Sequence, residues 1–103
     1  MSGNFELTVD GNLTIKVSGT LTLQSGGSLT LKTDADLAAQ AGTSVTSKAG
    51  TSLTNQAGTS LTNKAGTTLT NDAGVSLTNK AAAEQTVDGG GMLTLKGGLV
   101  KVN

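Results

Sequence analysis

The sequence predicts an all-β chain that winds with two identical copies into an intertwined triple-stranded parallel β-helix, a triangular prism formed by a homotrimer of octad repeats. Three observations predict it: an eight-residue repeat, an apolar–Thr–apolar alternation inside the repeat, and a Gly in nearly every repeat. Alternation of period two bounded by Gly is typical of a short strand followed by a turn. Because one such unit cannot bury its own apolar face, a fixed short repeat predicts stacked units.

The repeat begins at Val9 and continues to the C-terminal end of the chain. Residues 9–16 read VDGNLTIK, residues 57–64 read AGTSLTNK and residues 89–96 read GGGMLTLK. In the eleven complete blocks, residues 9–96, the fifth position is apolar, and only Gln85 interrupts it. We call the apolar members of this set the core column: Leu13, Leu21, Leu29, Leu37, Val45, Leu53, Leu61, Leu69, Leu77 and Leu93.

The pattern divides the chain into three segments. Residues 1–8 are an N-terminal lead-in, in which Met1-Ser2-Gly3 looks like an artificial start. Residues 9–96 form the octad-repeat shaft, and residues 97–103 form a C-terminal end. No stretch of 18 apolar residues predicts a transmembrane helix.

The composition excludes several classes of function. The chain has 103 residues, no Cys, no Trp and no Tyr, and it has no His, the commonest general base and metal ligand. Its formal net charge is zero, from seven basic and seven acidic residues, so no basic patch predicts a nucleic-acid partner. We therefore predict no catalysis, no cofactor and no metal site.

Two arrangements would bury the apolar positions. One chain could wind alone, with three blocks in each coil, or three identical chains could wind around one axis. Lys alternates with Gln or Asp at the eighth position of the blocks, from Lys16 to Lys96, and this ladder is consistent with both arrangements. In the middle blocks, the first position holds only Ala, so a coil of one chain encloses little apolar area. The thin core favours three chains, in a rod roughly 60 Å long at about 4.8 Å for each block.

Polar residues at regular positions offer candidate chemistry. Asn stands at the seventh position of four consecutive blocks, where it would either point inward as stacked ladders holding water or ions, or lie at corners and bond turn backbone. The four are Asn55, Asn63, Asn71 and Asn79. Asp34 and Asp36 could bind a cation, but they fall at outward positions without a third ligand, so we interpret them as a solvated strand edge.

Ser and Thr form two outward columns at the fourth and sixth positions, as in Ser60 and Thr62. Hydroxyls at regular spacing could order water, so an alternative function is a single-chain solenoid that binds ice or ordered water. Thr is also a good strand residue that keeps a rod soluble.

The octads, and especially the ending VDGGGMLTLKGGLVKVN at residues 87–103, resemble the C-terminal β-helix of the VgrG spike proteins of type VI secretion. They are also similar to the needle of contractile-phage tail spikes, whose Val-x-Gly pattern matches Val9-Asp10-Gly11 and Val17-Ser18-Gly19. Gly departs from this pattern between Gly42 and Gly74, where it moves from the third position to the second.

This resemblance, which covers essentially the whole chain, implies a homotrimeric membrane-puncturing shaft with a PAAR-repeat tip protein on its blunt C-terminal end. By the resemblance, residues 92–103 form the tip-binding end, with its apolar members Met92, Leu95, Leu99, Val100 and Val102. The resemblance also implies assembly in the cytoplasm, then injection by a contracting sheath with transient contact with the target membrane.

Overall fold

A computed structural model describes residues 2–103, and Met1, the first residue of the predicted lead-in, lies outside them. The chain divides into two units, Met1–Thr51 and Ser52–Asn103. Within the described residues, neither unit contains an α-helix or a β-strand. The backbone runs extended between bends, and no non-Gly residue among those described has a positive φ. An extended segment becomes a strand only when a neighbour completes its ladder of hydrogen bonds.

The first unit bends at regular intervals. After an isolated bend at Gly3, six two-residue bends follow, with six residues between one bend and the next. They lie at 10–11, 18–19, 26–27, 34–35, 42–43 and 50–51. Each bend occupies the second and third positions of a block, so the eight-residue repeat of the sequence is also a repeat of the backbone.

The second unit has the same period. Its bends lie at 58–59, 66–67, 74–75, 82–83, 90–91 and 98–99, again at the second and third positions of each block. The displacement of Gly from the third position to the second therefore leaves the bend where it was. Asp34-Ala35 and Ala82-Ala83 bend without any Gly, so the bend does not depend on that residue.

Neither unit has an apolar core of its own. All residues from 2 to 103 are exposed, and every large apolar side chain among them lies in solvent. The accessible surface is 11411 Å². A compact monomer of this mass exposes about 5300 Å², roughly half as much. The chain by itself therefore leaves unburied the apolar area that would stabilise a fold.

Contacts within each unit are local. No two described residues of one unit that are twelve or more positions apart have Cα atoms within 8 Å of each other. A single chain wound with three blocks to a coil would place residues 24 positions apart at about 4.8 Å. Such stacking occurs in neither unit.

Candidate functional site

The core column is uniformly half-exposed along the chain. Its ten side chains range from 51% exposed at Leu93 to 66% at Leu37, and Leu61 in the middle is 58% exposed. All ten lie in the segments between bends, two positions after the bend ends. Their common exposure and common position show that the same apolar position recurs, with similar accessibility, in ten blocks of the repeat.

One hydrogen bond between side chains shows which positions of a block share a side of the extended segment. The Thr86 hydroxyl donates a hydrogen bond to Oε1 of Glu84 at 3.5 Å, which joins the sixth and fourth positions of that block. Residues two apart lie on the same side of an extended chain. The fourth and sixth positions thus share one side, and the fifth and seventh positions, here Gln85 and Val87, share the other.

Ser and Thr hydroxyls next to two bends, 26–27 and 34–35, form hydrogen bonds with the backbone of the bend. The Ser25 hydroxyl accepts a hydrogen bond from the Gly27 amide at 3.3 Å and donates one to the Ser28 carbonyl at 2.9 Å. Thr33 Oγ1 accepts from the Ala35 amide at 3.2 Å. These hydroxyls stabilise the bend locally, as Ser and Thr commonly do in turns.

The bend at 90–91 differs from the others because a backbone hydrogen bond closes it. The Met92 amide donates to the Gly89 carbonyl at 3.3 Å, and Oδ1 of Asp88 accepts from the Gly90 amide at 2.9 Å. Gly90 has a φ of 69°, in the left-handed region, whereas Gly91 does not. Positive φ at the second residue alone is the arrangement of a type II′ turn. The signal in the sequence is the Asp-Gly-Gly-Gly run, a combination that favours tight turns.

Both Gly89 and Gly90 are needed for this turn. A Cβ atom on Gly89 would collide with the Met92 carbonyl oxygen, and it would lie 2.6 Å from the Met92 carbonyl carbon and 2.8 Å from the Leu93 nitrogen. These atoms are backbone, so the chain itself would have to shift. A Cβ on Gly90 meets no neighbour, but its positive φ disfavours any L side chain.

We expect Gly89→Ala to lower the stability of the folded assembly by about 1–3 kcal/mol per chain, because the turn must distort. Gly91→Ala is the matched control, since its Cβ would meet nothing within 4 Å and its φ is not positive. Thermal unfolding followed by circular dichroism measures both variants. Equal melting temperatures for Gly89→Ala and Gly91→Ala would contradict the turn geometry.

The predicted tip-binding residues follow this turn in the chain. Leu99 is 87% exposed and lies in the last bend, and Val102 is 86% exposed near the C-terminus. Met92 and Leu95 are also strongly exposed, and Val100 is about half-exposed. The last block thus has two apolar side chains that are more exposed than any member of the core column, and Val75, which like Leu99 lies in a bend, is fully exposed.

The other candidate residues lie at defined points of the repeat. The four Asn of the seventh position fall inside the segments, outside the bends. Asp34 lies in a bend and Asp36 just after it, both exposed, and residues 2–103 contain no group of three possible metal ligands among His, Cys, Asp and Glu. The Ser and Thr residues of the fourth and sixth positions are exposed, as are all other residues from 2 to 103. Residues 2–103 contain no helix that is long and apolar enough to cross a bilayer.

We found no protein-family model, no curated protein and no solved structure that matches the chain.

Proposed function

We propose that the chain is the shaft of a trimeric membrane-puncturing spike of the VgrG type, a structural component of a contractile injection machine and not an enzyme. Three copies wind into a parallel β-helix of triangular cross-section, and the C-terminal end carries a PAAR-repeat tip protein. The spike assembles in the cytoplasm, and contraction of a sheath drives it into a target cell.

The observation that carries the proposal is a chain that bends every eight residues and buries none of its apolar side chains. A bend at a fixed period supplies the corners of a prism, and the extended segments supply its sides. The side chains of the core column are half-exposed, and no other part of the chain buries them. In a trimer, the core columns of the three copies would pack against one another around the axis at every level.

The proposed shaft works by rigidity. Interchain strand pairing leaves no free lateral sheet edge, so the rod resists bending and offers no template for pairing with other proteins. The bends are two residues long, so no long loop projects to obstruct passage through an envelope. Its stability is the sum of many similar interfaces, which makes folding inseparable from assembly.

The experiment that tests the function is the stoichiometry of the complex with a purified PAAR-repeat protein of a type VI system. Native mass spectrometry should find one PAAR-repeat protein for three chains. A trimer that binds no PAAR-repeat protein from any cognate system would contradict the tip-carrying function, while leaving the fold proposal intact.

A monomeric solenoid that binds ice is the alternative that the same preparation tests. The outward hydroxyls of a triangular prism lie on every side, whereas ice binding requires one flat face. We expect no effect of the trimer on ice growth in a freezing assay. Arrest of ice growth by a folded 10 kDa species would favour the alternative.

A further inference from the structure

We propose that Gln85 selects the register in which copies of this chain associate, because its amide finds partners on the axis only when all three copies are aligned. The inference rests on the proposed trimer and adds a residue that decides which copies pair and at which level. Three features carry it: identical inward residues in the middle blocks, one polar residue at the position of the core column, and a hydrogen bond that shows on which side this residue lies.

The middle blocks leave the alignment of the copies open. The fifth position is Leu and the seventh is Asn in each of the blocks between residues 49 and 80. A shift of one residue between copies would move the apolar side chains to the other face, so it is strongly disfavoured. A shift of one whole block would place Leu at the level of Leu and Asn at the level of Asn within this stretch. These blocks therefore do not distinguish alignments that differ by whole blocks.

Gln85 interrupts this regularity on the inward side. It is the one polar residue at the fifth position of the complete blocks, and it lies between the bends at 82–83 and 90–91. The hydroxyl of Thr86 donates to Oε1 of Glu84 at 3.5 Å, so these two neighbours of Gln85 share a side of the segment. Successive residues of an extended chain point to opposite sides. Gln85 therefore lies on the side that holds the core column in the other blocks.

An amide at the axis discriminates between alignments. In an aligned trimer with threefold symmetry, the three Gln85 side chains lie at one level, where each can donate an N–H to the next and accept one at Oε1. A shift of one block moves the Gln85 of one copy to a level at which the other copies hold Leu77 or Leu93. A buried amide that loses its partners keeps the full penalty of its desolvation. A single buried polar residue specifies register in coiled coils for the same reason.

Exchanging the residues of two neighbouring blocks tests this selection. Leu77→Gln combined with Gln85→Leu moves the polar level by one block and leaves the composition of the chain unchanged. Isotopically labelled wild-type chains and unlabelled variant chains are refolded together from denaturant, and native mass spectrometry counts the mixed trimers. Random association of an equal mixture gives about three quarters mixed trimers, and we expect at least tenfold fewer.

The matched control exchanges outward residues of the same two blocks, Ser76→Glu with Glu84→Ser, and it also preserves the composition. These chains should mix with the wild type at random. Random mixing of the Leu77→Gln/Gln85→Leu chains in a trimer would overturn the inference and leave the proposed function intact. If light scattering shows that the wild-type chain is a monomer, the proposed function and this inference both fail.

Gln85→Leu alone provides a second test in case the exchanged variant does not assemble by itself. Leu at this level continues the core column and removes the buried amide, so the melting temperature of the trimer should rise by about 3 °C or more. The same chains refolded with the wild type should again give at least tenfold fewer mixed trimers than random association. An unchanged or lower melting temperature would show that Gln85 does not lie at the axis.

Discussion

Replacing Leu61 by Asp is expected to abolish the trimer. Leu61 lies in the middle of the core column and is 58% exposed in the single chain, so in the proposed trimer its full burial depends on the other two copies. Complete burial of a Leu side chain stabilises a fold by about 1.5–3 kcal/mol. The substitution removes this contribution from three chains and places three carboxylates, with no partner, at one level of the axis.

The control for Leu61→Asp is Thr62→Asp, which introduces the same charge one residue later on the outward side. It should remain trimeric, with a melting temperature within a few degrees of the wild type. Light scattering and circular dichroism measure both variants. A Leu61→Asp chain that stays trimeric with an unchanged melting temperature would refute the inward assignment of the core column.

The second large effect is expected at the C-terminal end. Leu99→Asp and Val100→Asp should each weaken binding of the PAAR-repeat tip protein at least tenfold, because a charge would replace an apolar contact at the docking surface. Both variants should stay trimeric, since these residues follow the last member of the core column, Leu93. Truncation of a hot-spot residue at the centre of an interface costs at least about 2 kcal/mol, which is more than the roughly 1.4 kcal/mol of a tenfold change in affinity.

Pull-down and calorimetry with the PAAR-repeat protein measure this effect. Ser76→Asp, on the outward side of the shaft, supplies the matched charge far from the C-terminal end along the chain. It should bind the tip protein as the wild type does. Unchanged affinity in both end variants would show that the tip protein docks elsewhere or not at all.

The periodic backbone could be predicted from the sequence because the period is encoded many times over. Most blocks carry the same order of a short turn and an alternating segment, and the structure bends at the second and third positions of every block. The position of Gly alone does not predict where each block bends. Gly moves from the third position to the second at Gly42, and the bend at 82–83 contains only Ala. The bend keeps its position even in blocks 33–40 and 81–88, which lack both Gly and the apolar–Thr–apolar alternation.

Other features could not be derived from the repeat. The type II′ turn of Gly89 and Gly90 depends on a local run of Asp and Gly that differs from the other blocks. The eight-residue repeat alone therefore does not predict it. In the proposed trimer, burial of the core column is a property of the assembly, since one block is too thin to cover its own Leu. The number of chains that cover it stays a prediction based on the lack of self-contacts and the small side chains of the middle blocks.

The central claim, that three copies share one core, is tested most directly by the mass of the folded chain in solution. Multi-angle light scattering at low micromolar concentration should give about 30 kDa, three times the 10.1 kDa of one chain. Circular dichroism on the same sample should show β-structure. A folded species of 10 kDa with the same β signal would contradict the trimer and favour a single-chain solenoid.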